Sequence, residues 1–464
     1  MSDEPLDLLL VGGTVVTVDD ERRVIGDGAV AIAGDRISAV GRTCDLGRRP
    51  AARVVDCAGK LVLPGLVDTH NHLFQTLARG LGEGLPGWRW LAEFMWPYAG
   101  TISARETVVA ARLGAVEAAR AGTTALLDHH YGCTDVETTL AVADAIEAVG
   151  LRGVVARGIA GPLTDLGRTQ GLPESSFPYR ADQELEYTRA CMDARPADGR
   201  VVVWPGPINI TYTDRELLRA AVELARERGT GWHTHFCAPR PDPETYRDAF
   251  GVRPASWLHE EGLLGPDTTL AHATWLDDAD VALLGGTRSC VAHCPASNMV
   301  VPYGVMRLRD LREAGATVGL GTDGSACGHR QDLFEQMKLM VLLHRVTTLD
   351  PEATTVAEAL DLVTREGAAV LRIEAGVLAP GRLADVAVVD LQRPHLRPLN
   401  DPLATVVHAA RGGDVWMTIV GGDVVYEDGR CTRIDESEVM AEAQACADAL
   451  LRRAGLERLR HRTP

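Results

Sequence analysis

The stretch Gly65-Leu-Val-Asp-Thr-His-Asn-His72 is an apolar run that ends in two histidines, and it begins a regular alternation along the chain. Further runs of strand length follow, and segments of helical periodicity separate them. Each run is nearly continuous in apolar residues, which is typical of strands buried on both faces. These further runs cover residues 124–130, 152–159, 201–208, 229–236, 268–274, 289–295 and 317–324. Strands that alternate with helices in this way predict an α/β fold, a closed parallel (β/α)8 TIM barrel, over its rival, a doubly wound open sheet.

Shorter, turn-rich strands flank this alternation on both sides. They fill the chain before Pro64, and the same rhythm returns from about Gly376. A few N-terminal strands could not bury both faces alone, so we expect them to pair with the C-terminal strands in one small flanking β-sandwich. The predicted organisation is therefore residues 1–64 as the N-terminal part of the sandwich, residues 65–368 as the barrel, and residues 369–464 as the C-terminal part with a terminal helix.

Composition restricts the class of partner. The chain has 464 residues and a net charge of -17, which disfavours binding to a phosphate backbone. The first residues, Met-Ser-Asp-Glu-Pro-Leu-Asp, are acidic where a signal peptide would be basic, and no apolar run approaches the ~20 residues of a membrane helix. The ten cysteines are scattered and include no CxxC pair, as expected of free thiols in a reducing compartment. We therefore expect a cytoplasmic homo-oligomer with a small-molecule substrate, and neither nucleic acid nor membrane as a partner.

Ionisable side chains end several of the predicted strands, where a barrel carries its functional residues. His70 and His72 are two positions apart in a strand, so both imidazoles point to the same face. Ionisable groups also end the fifth to eighth strands: His235, His272, His293 and Asp323. Such groups are costly to hold there unless they bind something, and imidazole suits zinc, iron and related ions. The pattern favours a metal site at the mouth of the barrel.

Several stretches resemble the amidohydrolase superfamily, specifically its aminohydrolase branch of adenosine-type, guanine and 8-oxoguanine deaminases and triazine hydrolases. They are Leu63-Pro-Gly-Leu-Val-Asp-Thr-His-Asn-His72, Ala121-Gly-Thr-Thr124, His293-Cys-Pro-Ala-Ser-Asn298, Gly319-Leu-Gly-Thr-Asp-Gly324 and Leu378-Ala-Pro-Gly-Arg-Leu-Ala-Asp385. The resemblance implies that one divalent metal, zinc with iron as the alternative, is bound by His70, His72, His235 and Asp323. Binuclear members carry a carboxylated lysine at the fourth strand, and residues 201–209 contain no lysine, so a single metal is expected.

The resemblance also implies a reaction. An activated water attacks an amino-bearing sp² carbon, and ammonia leaves. Asp323 would accept the proton of the water and deliver it to the leaving group, and His272 would bind substrate and stabilise the developing charge. The predicted function is a metal-dependent hydrolase of carbon–nitrogen bonds other than peptide bonds, a deaminase of a modified purine, pterin or triazine.

Two positions depart from the pattern of the branch. The fifth strand continues as His235-Phe-Cys-Ala238, where the branch has a glutamate that protonates a ring nitrogen. Arg89 stands where methylthioadenosine and S-adenosylhomocysteine deaminases have a glutamate that binds ribose hydroxyls. An unmodified adenosine is therefore a poor candidate substrate, and a substrate with a carbonyl or a negative charge is favoured, because arginine offers a bidentate fork.

Other side chains are predicted to contact substrate. Trp90 lies in an aromatic cluster that could stack on a flat heterocycle, and Gln75 closely follows His72. Arg157 ends the third strand, where a buried arginine needs an anionic partner. Two alternatives to deamination stay open: hydrolysis with another leaving group, as in dehalogenation or cyclic C–N ring opening, and a catalytically silent metal-binding homologue.

Overall fold

The structure of the chain is a computed structural model, and it describes residues 5–460. Residues 1–4 and 461–464, which belong to the predicted flanking segments and to the acidic N-terminal stretch, lie outside the described residues. The strands are β1 Leu6–Val16, β2 Val24–Ala33, β3 Arg36–Arg42, β4 Ala51–Asp56, β5 Lys60–Pro64, β6 Leu66–Asn71, β7 Thr123–His130, β8 Arg152–Ile159, β9 Val201–Pro207, β10 Trp232–Phe236, β11 Thr268–His272, β12 Cys290–His293, β13 Thr317–Leu320, β14 Val386–Asp390, β15 Val415–Val420, β16 Asp423–Glu427 and β17 Arg430–Cys431.

Helices lie between the strands of the central part and follow them to the end of the chain. They are α1 Thr43–Leu46, α2 Gly87–Trp90, α3 Trp96–Ala99, α4 Ala104–Arg120, α5 Val136–Val149, α6 Asp165–Thr169, α7 Ala181–Ala194, α8 Arg215–Glu227, α9 Asp242–Phe250, α10 Pro254–Glu260, α11 Asp278–Gly286, α12 Pro295–Val300, α13 Leu308–Ala314, α14 Leu333–Thr348, α15 Val356–Leu362, α16 Arg365–Val370, α17 Pro402–His408 and α18 Glu436–Arg453. Among residues 5–460, no helix is both long enough and apolar enough to cross a membrane.

Local sequence explains where the main helices begin. Ser103 and Glu106 form a capping box at α4, in which each side chain bonds the backbone of the other residue. The Asp214 side chain accepts hydrogen bonds from two backbone amides at the start of α8. Apolar residues of α8, among them Leu218 and Val222, recur on one face and are fully buried. These helices therefore cover the strands with one apolar face and leave their charged face outside.

All of the runs that the sequence predicts as central strands are present, in the predicted order and mostly shorter. They form two parallel four-stranded sheets, β6-β7-β8-β9 and β10-β11-β12-β13. The sheets meet at both margins: Asn209 pairs with His235 in an isolated parallel bridge, and the backbone N–H of Asp323 donates to the carbonyl of His70 at 2.9 Å. This arrangement brings the carboxyl ends of strands from both sheets together.

The flanking strands of both chain ends share one nine-stranded sheet, in the order β17-β16-β15-β14-β5-β1-β2-β3 with β4 paired to β1. Its junction is the antiparallel pair β5–β14, in which Val62 lies opposite Val388. Buried apolar residues such as Leu10, Ile32 and Ile419 fill a core against this sheet. The N- and C-terminal strands thus pair as expected, whereas the folding of their sheet into a two-layered sandwich stays a prediction.

Candidate metal centre and active-site cleft

The four predicted ligands converge where the two parallel sheets meet. The Nε2 atoms of His72 and His235 are 3.1 Å apart, and Oδ1 of Asp323 lies 3.3 Å from Nε2 of His72 and 3.5 Å from Nε2 of His70. His70, His72 and His235 offer ligand atoms that all lie within 4.8 Å of one another. Three imidazoles and one carboxylate, drawn from three strand ends, therefore point at one small volume.

Hydrogen bonds behind the histidines set the direction of their lone pairs. Nδ1 of His72 lies 2.7 Å from the carbonyl of His129, and Nδ1 of His235 lies 2.6 Å from the carbonyl of Ile208. A carbonyl only accepts, so in both rings Nδ1 carries the hydrogen and Nε2 presents a lone pair to the common volume. This is the tautomer that a metal ligand requires.

His70 has a ring nitrogen whose surroundings favour a metal ligand. Its Nδ1 lies 2.8 Å from Nε2 of His233, while its Nε2 is buried and has no hydrogen-bond partner in the structure. A buried, unpartnered nitrogen is costly unless something coordinates it. Three nitrogens and one carboxylate oxygen form a donor set that zinc and related divalent ions accept. The residues present therefore fit a divalent metal.

Asp323 is held as a carboxylate by its neighbours. Burial alone would raise its pKa, but the surrounding imidazoles of His70, His272 and His72 hold the pKa well below its ordinary value. The hydroxyl of Ser297 donates to Oδ2, and the backbone N–H of Gly324 donates to Oδ1 at 2.7 Å. The backbone of Asp323 has a φ of 57°, a left-handed conformation that costs free energy and is common at functional sites.

His272 lies beside Asp323 and outside the cluster formed by His70, His72 and His235. Its Nδ1 lies 3.0 Å from Oδ1 of Asn298, and its Nε2 lies 3.8 Å from Oδ2 of Asp323. Burial lowers the pKa of His272 to about 4, so the ring is neutral near pH 7. With the Nδ1 hydrogen donated to Asn298, Nε2 can accept a hydrogen bond from a water or from a substrate N–H.

A cleft opens at this site, and three of the four predicted ligands, His72, His235 and Asp323, line it. Its wall consists mainly of aromatic rings, with Gln75, Asn209 and Ser297 as polar neighbours. Among the residues that line it, all of them within the described part of the chain, Asp323 is the one carboxylate, and lysine and arginine are absent. The aromatic residues are Trp88, Trp90, Trp96, Tyr131, Tyr212 and Tyr303. Such a wall suits a flat, uncharged ring system.

The residues predicted to bind substrate divide into two groups. Gln75, Trp90 and His272 line the cleft, and Nε2 of Gln75 lies 3.1 Å from the hydroxyl of Tyr131. Arg89 does not line it: its side chain is 61% exposed, and its guanidinium pairs with Glu93 four residues later in the chain. A solvated, already paired arginine offers no fork to a bound substrate, so the geometry gives Arg89 no support as a substrate ligand.

Arg157 is fully buried but faces a different partner from the predicted one. Its Nη1 lies 2.9 Å from Oε2 of Glu184 on α7, and it also donates to the hydroxyl of Thr188. Oε1 of Glu184 in turn accepts from the backbone N–H groups of Ala160 and Gly161, at 3.1 Å each. The anionic partner that a buried arginine needs is thus supplied by the protein itself, and the pair ties α7 to the end of β8.

Breaking this pair is expected to destabilise the fold. Glu184→Ala should lower the free energy of unfolding by about 3–5 kcal/mol, because it leaves the Arg157 guanidinium buried without its partner. Glu186→Ala, at an exposed position of the same helix, is the matched control and should change it by less than about 0.5 kcal/mol. Urea denaturation of both variants measures the difference. Equal stability of the two variants would contradict the assignment.

Several residues of the site escaped prediction as contributors to it. Ser297 and Asn298 were not predicted as site residues, yet they bond Asp323 and His272. Tyr212 and Tyr303 lie in loops, where no periodic pattern of the sequence identifies residues of a cleft. Tyr131 directly follows a histidine at a strand end. The position immediately after a strand end could therefore have indicated Tyr131 as a residue of the cleft.

Metal content gives a direct test of the ligand set. The purified chain is expected to hold about one equivalent of divalent metal, because His70, His72, His235 and Asp323 form one mononuclear donor set. Elemental analysis after expression in metal-replete medium measures this ratio. His235→Ala should lose the metal, and His259→Ala, at an exposed helix position, should retain it. Two tightly bound ions would contradict a single site and would point to the second buried cluster of His70, His129 and His233.

The chain is similar to several known proteins in sequence and in fold. The sequence model of the amidohydrolase family matches residues 61–425. A 5-methylthioadenosine/S-adenosylhomocysteine deaminase of Pelotomaculum thermopropionicum is 35% identical over 96% of this chain and 99% of its own. Among solved structures, a zinc-bound adenosine deaminase from Xanthomonas campestris matches with a TM-score of 0.88 and 26% identity, covering 96% of this chain and 99% of its own.

A zinc complex of an atrazine chlorohydrolase from Arthrobacter aurescens matches equally well in fold. Its TM-score is 0.88 at 27% identity, and the alignment covers 95% of this chain and 100% of that one. The family match covers most of the sequence, including all four predicted metal ligands. The chain belongs to the amidohydrolase family.

Proposed function

We propose that this protein is a mononuclear zinc aminohydrolase that removes the amino group of a flat nitrogen heterocycle and releases ammonia. The observation that carries the proposal is the convergence of His70, His72, His235 and Asp323 on the floor of a cleft walled by aromatic rings. The deaminase activities named for the related proteins support the same reaction type.

The residues of the cleft have separable roles in this reaction. Zinc, when bound, lowers the pKa of a coordinated water towards about 7 and polarises the bond that is attacked. Asp323 accepts the proton of the attacking water, because its carboxylate is ionised and carries a fixed orientation from Ser297 and Gly324. His272 holds the water or a substrate N–H through Nε2, and the aromatic wall places the ring and excludes bulk water.

The residues that line the cleft also help to distinguish a free heterocycle from a nucleoside as the substrate. A ribose diol is commonly held by a carboxylate, and the cleft lining contains no carboxylate besides Asp323, which serves the chemistry. A free heterocycle of the purine, pterin or triazine type therefore fits better than a nucleoside. We expect kcat/KM to be at least about tenfold higher for a free heterocycle than for its nucleoside, which corresponds to about 1.4 kcal/mol.

Displacement of a halide from the same kind of ring is a second candidate. Ala238 lines the cleft where the branch has a glutamate that protonates the ring, and a halide leaves without needing a proton on itself. The similarity to an atrazine chlorohydrolase favours the same alternative.

A substrate panel with two readouts tests both candidates. The zinc-loaded protein is incubated with guanine, 8-oxoguanine, adenine and melamine, with adenosine and S-adenosylhomocysteine, and with a chloro-substituted triazine. Ammonia release from a free heterocycle supports deamination, and chloride release alone favours the second candidate. Efficient turnover of the nucleosides, without turnover of free heterocycles, would overturn the substrate class. The absence of both products would leave the silent homologue as the best description.

We also propose a fold, a cellular location and an assembly for this protein. The contacts at both margins of the parallel sheets support a closed (β/α)8 barrel over residues 65–368. The pairing of β5 with β14 in one sheet supports a common flanking unit of both chain ends, which we propose to be a sandwich. All ten cysteines are free thiols in the structure, which is compatible with the cytoplasmic location that we propose. We propose a homo-oligomer as the assembly, and size-exclusion chromatography with light scattering would test it.

A further inference from the structure

An isolated carboxyl group lies behind the part of the cleft wall where the expected glutamate is missing. Asp242 is the first residue of α9 and follows the loop that carries Ala238 and Pro239, both of which line the cleft. Its residue is only 2% exposed, and neither of its carboxyl oxygens has a hydrogen-bond partner. The nearest donor is the backbone N–H of Ala238, which acts on the carboxyl without completing a hydrogen bond of good geometry.

Burial outweighs the backbone N–H of Ala238, which acts to lower the pKa of Asp242. Burial raises its pKa to about 8, and no cation opposes that effect, so the carboxyl retains its proton near neutral pH. Asp242 also lies near enough to Tyr212 and Tyr303 for its ionised carboxylate to raise the pKa of both hydroxyls. Both tyrosines line the cleft.

A structural role alone does not account for this residue. A protonated, unpartnered carboxyl gains neither an ion pair nor a hydrogen bond, and an apolar side chain of similar size would be cheaper to bury there. The other nearby acid, Glu244, is half exposed and pairs with Arg253 at 3.2 Å and with Arg247, so it does not reach back to the cleft. Asp242 is thus the acid that retains a proton and has no other partner on this loop and helix.

We propose that Asp242 is the proton donor to the ring nitrogen of the substrate and replaces the glutamate that is absent at position 238. The inference rests on the proposed deaminase function. Ala238 lines the cleft and its backbone N–H acts on the carboxyl of Asp242, so the acid lies directly behind this part of the wall. A rotation of the Asp242 side chain toward the cleft would carry its proton to the ring. In this scheme Asp242 donates a proton to the ring nitrogen, and Asp323 accepts the proton of the attacking water.

The protons and electrons balance in this scheme. The water oxygen forms a bond to the amino-bearing carbon, and its released proton goes to Asp323. The π electron pair of the ring C=N bond moves to the ring nitrogen, which takes the proton of Asp242. The C–N bond to the amino group then breaks as that nitrogen takes the proton from Asp323, and ammonia leaves. The new hydroxyl becomes a carbonyl, and the proton that it loses restores Asp242.

The test compares variants of the zinc-loaded protein on the best amino heterocycle of the panel. Asp242→Asn should lower kcat by about 10²–10⁴-fold, the contribution of a positioned general acid. Its zinc content and thermal midpoint should match those of Asp248→Asn, the matched control at an exposed position of the same helix. Adding Ala238→Glu to Asp242→Asn should restore at least part of the lost rate, which a merely structural role would not explain.

Protonation can be measured independently of activity. The infrared spectrum of the wild type near pH 7 should contain the C=O stretch of a protonated carboxyl that Asp242→Asn lacks. A kcat of Asp242→Asn within about threefold of the wild type would overturn the inference and leave deamination intact. Absence of the infrared band from the wild type would overturn it as well. Failure of the wild type to release ammonia from any amino heterocycle would overturn the proposed function itself, and the inference with it.

Discussion

Asp323→Asn is expected to reduce turnover by at least about 10³-fold while the fold is retained, because the amide cannot accept the proton of the attacking water. The substitution is isosteric, and the amide can still occupy the space between His70, His72 and the hydroxyl of Ser297. The loss should therefore appear in kcat and not in the circular dichroism spectrum. Steady-state release of product from the best substrate of the panel, together with that spectrum, measures both quantities.

The control for this variant is an aspartate outside the cleft. Asp198→Asn changes the same functional group at an exposed position and should leave kcat within about twofold of the wild type. Retention of more than about a tenth of the activity by Asp323→Asn would show that another group accepts the proton. His272 would then be the next candidate, since its Nε2 lies 3.8 Å from Oδ2 of Asp323.

The convergence of the four predicted ligands could be expected from strand geometry together with the family resemblance. His70 and His72 share a face by the two-residue period of a strand, and the carboxyl ends of parallel strands meet at one edge. The choice of His235 and Asp323 among the strand-end groups rested on that resemblance, and the ligand set stays a prediction. The strands themselves end earlier than the apolar runs: β11 stops at His272 and β13 at Leu320. The backbone turns left-handed at His272 and at Asp323, which a pattern of apolar residues does not reveal.

The roles predicted for Arg157 and Arg89 as substrate ligands were less reliable, because each arginine has a partner within the protein. The sequence around Arg157 does not indicate that Glu184, on a later helix, neutralises its charge. Arg89 was judged from its alignment with a family position, whereas its pairing with Glu93 follows from the simple i, i+4 relation along the chain. Asp242 has no signal in the sequence, because burial without a partner is a property of the folded environment alone.

Activity and metal binding are expected to separate in His272→Ala. His272 lies outside the cluster formed by His70, His72 and His235, so its loss should leave most of the bound metal in place. It should still lower kcat by about 10²–10³-fold, because the hydrogen bond that orients the water or substrate is lost. His235→Ala is the matched comparison: it removes a histidine from the neighbouring strand and should lose metal and activity together.

Asn298 gives the experiment a further internal check. Its Oδ1 fixes the tautomer of His272 through a 3.0 Å contact, so Asn298→Ala should lower kcat in the same direction but less than His272→Ala, with the metal again retained. Metal content by elemental analysis and kcat on one substrate are measured for all three variants. Loss of metal from His272→Ala as complete as that from His235→Ala would place His272 among the ligands and overturn its role in orienting the reacting groups.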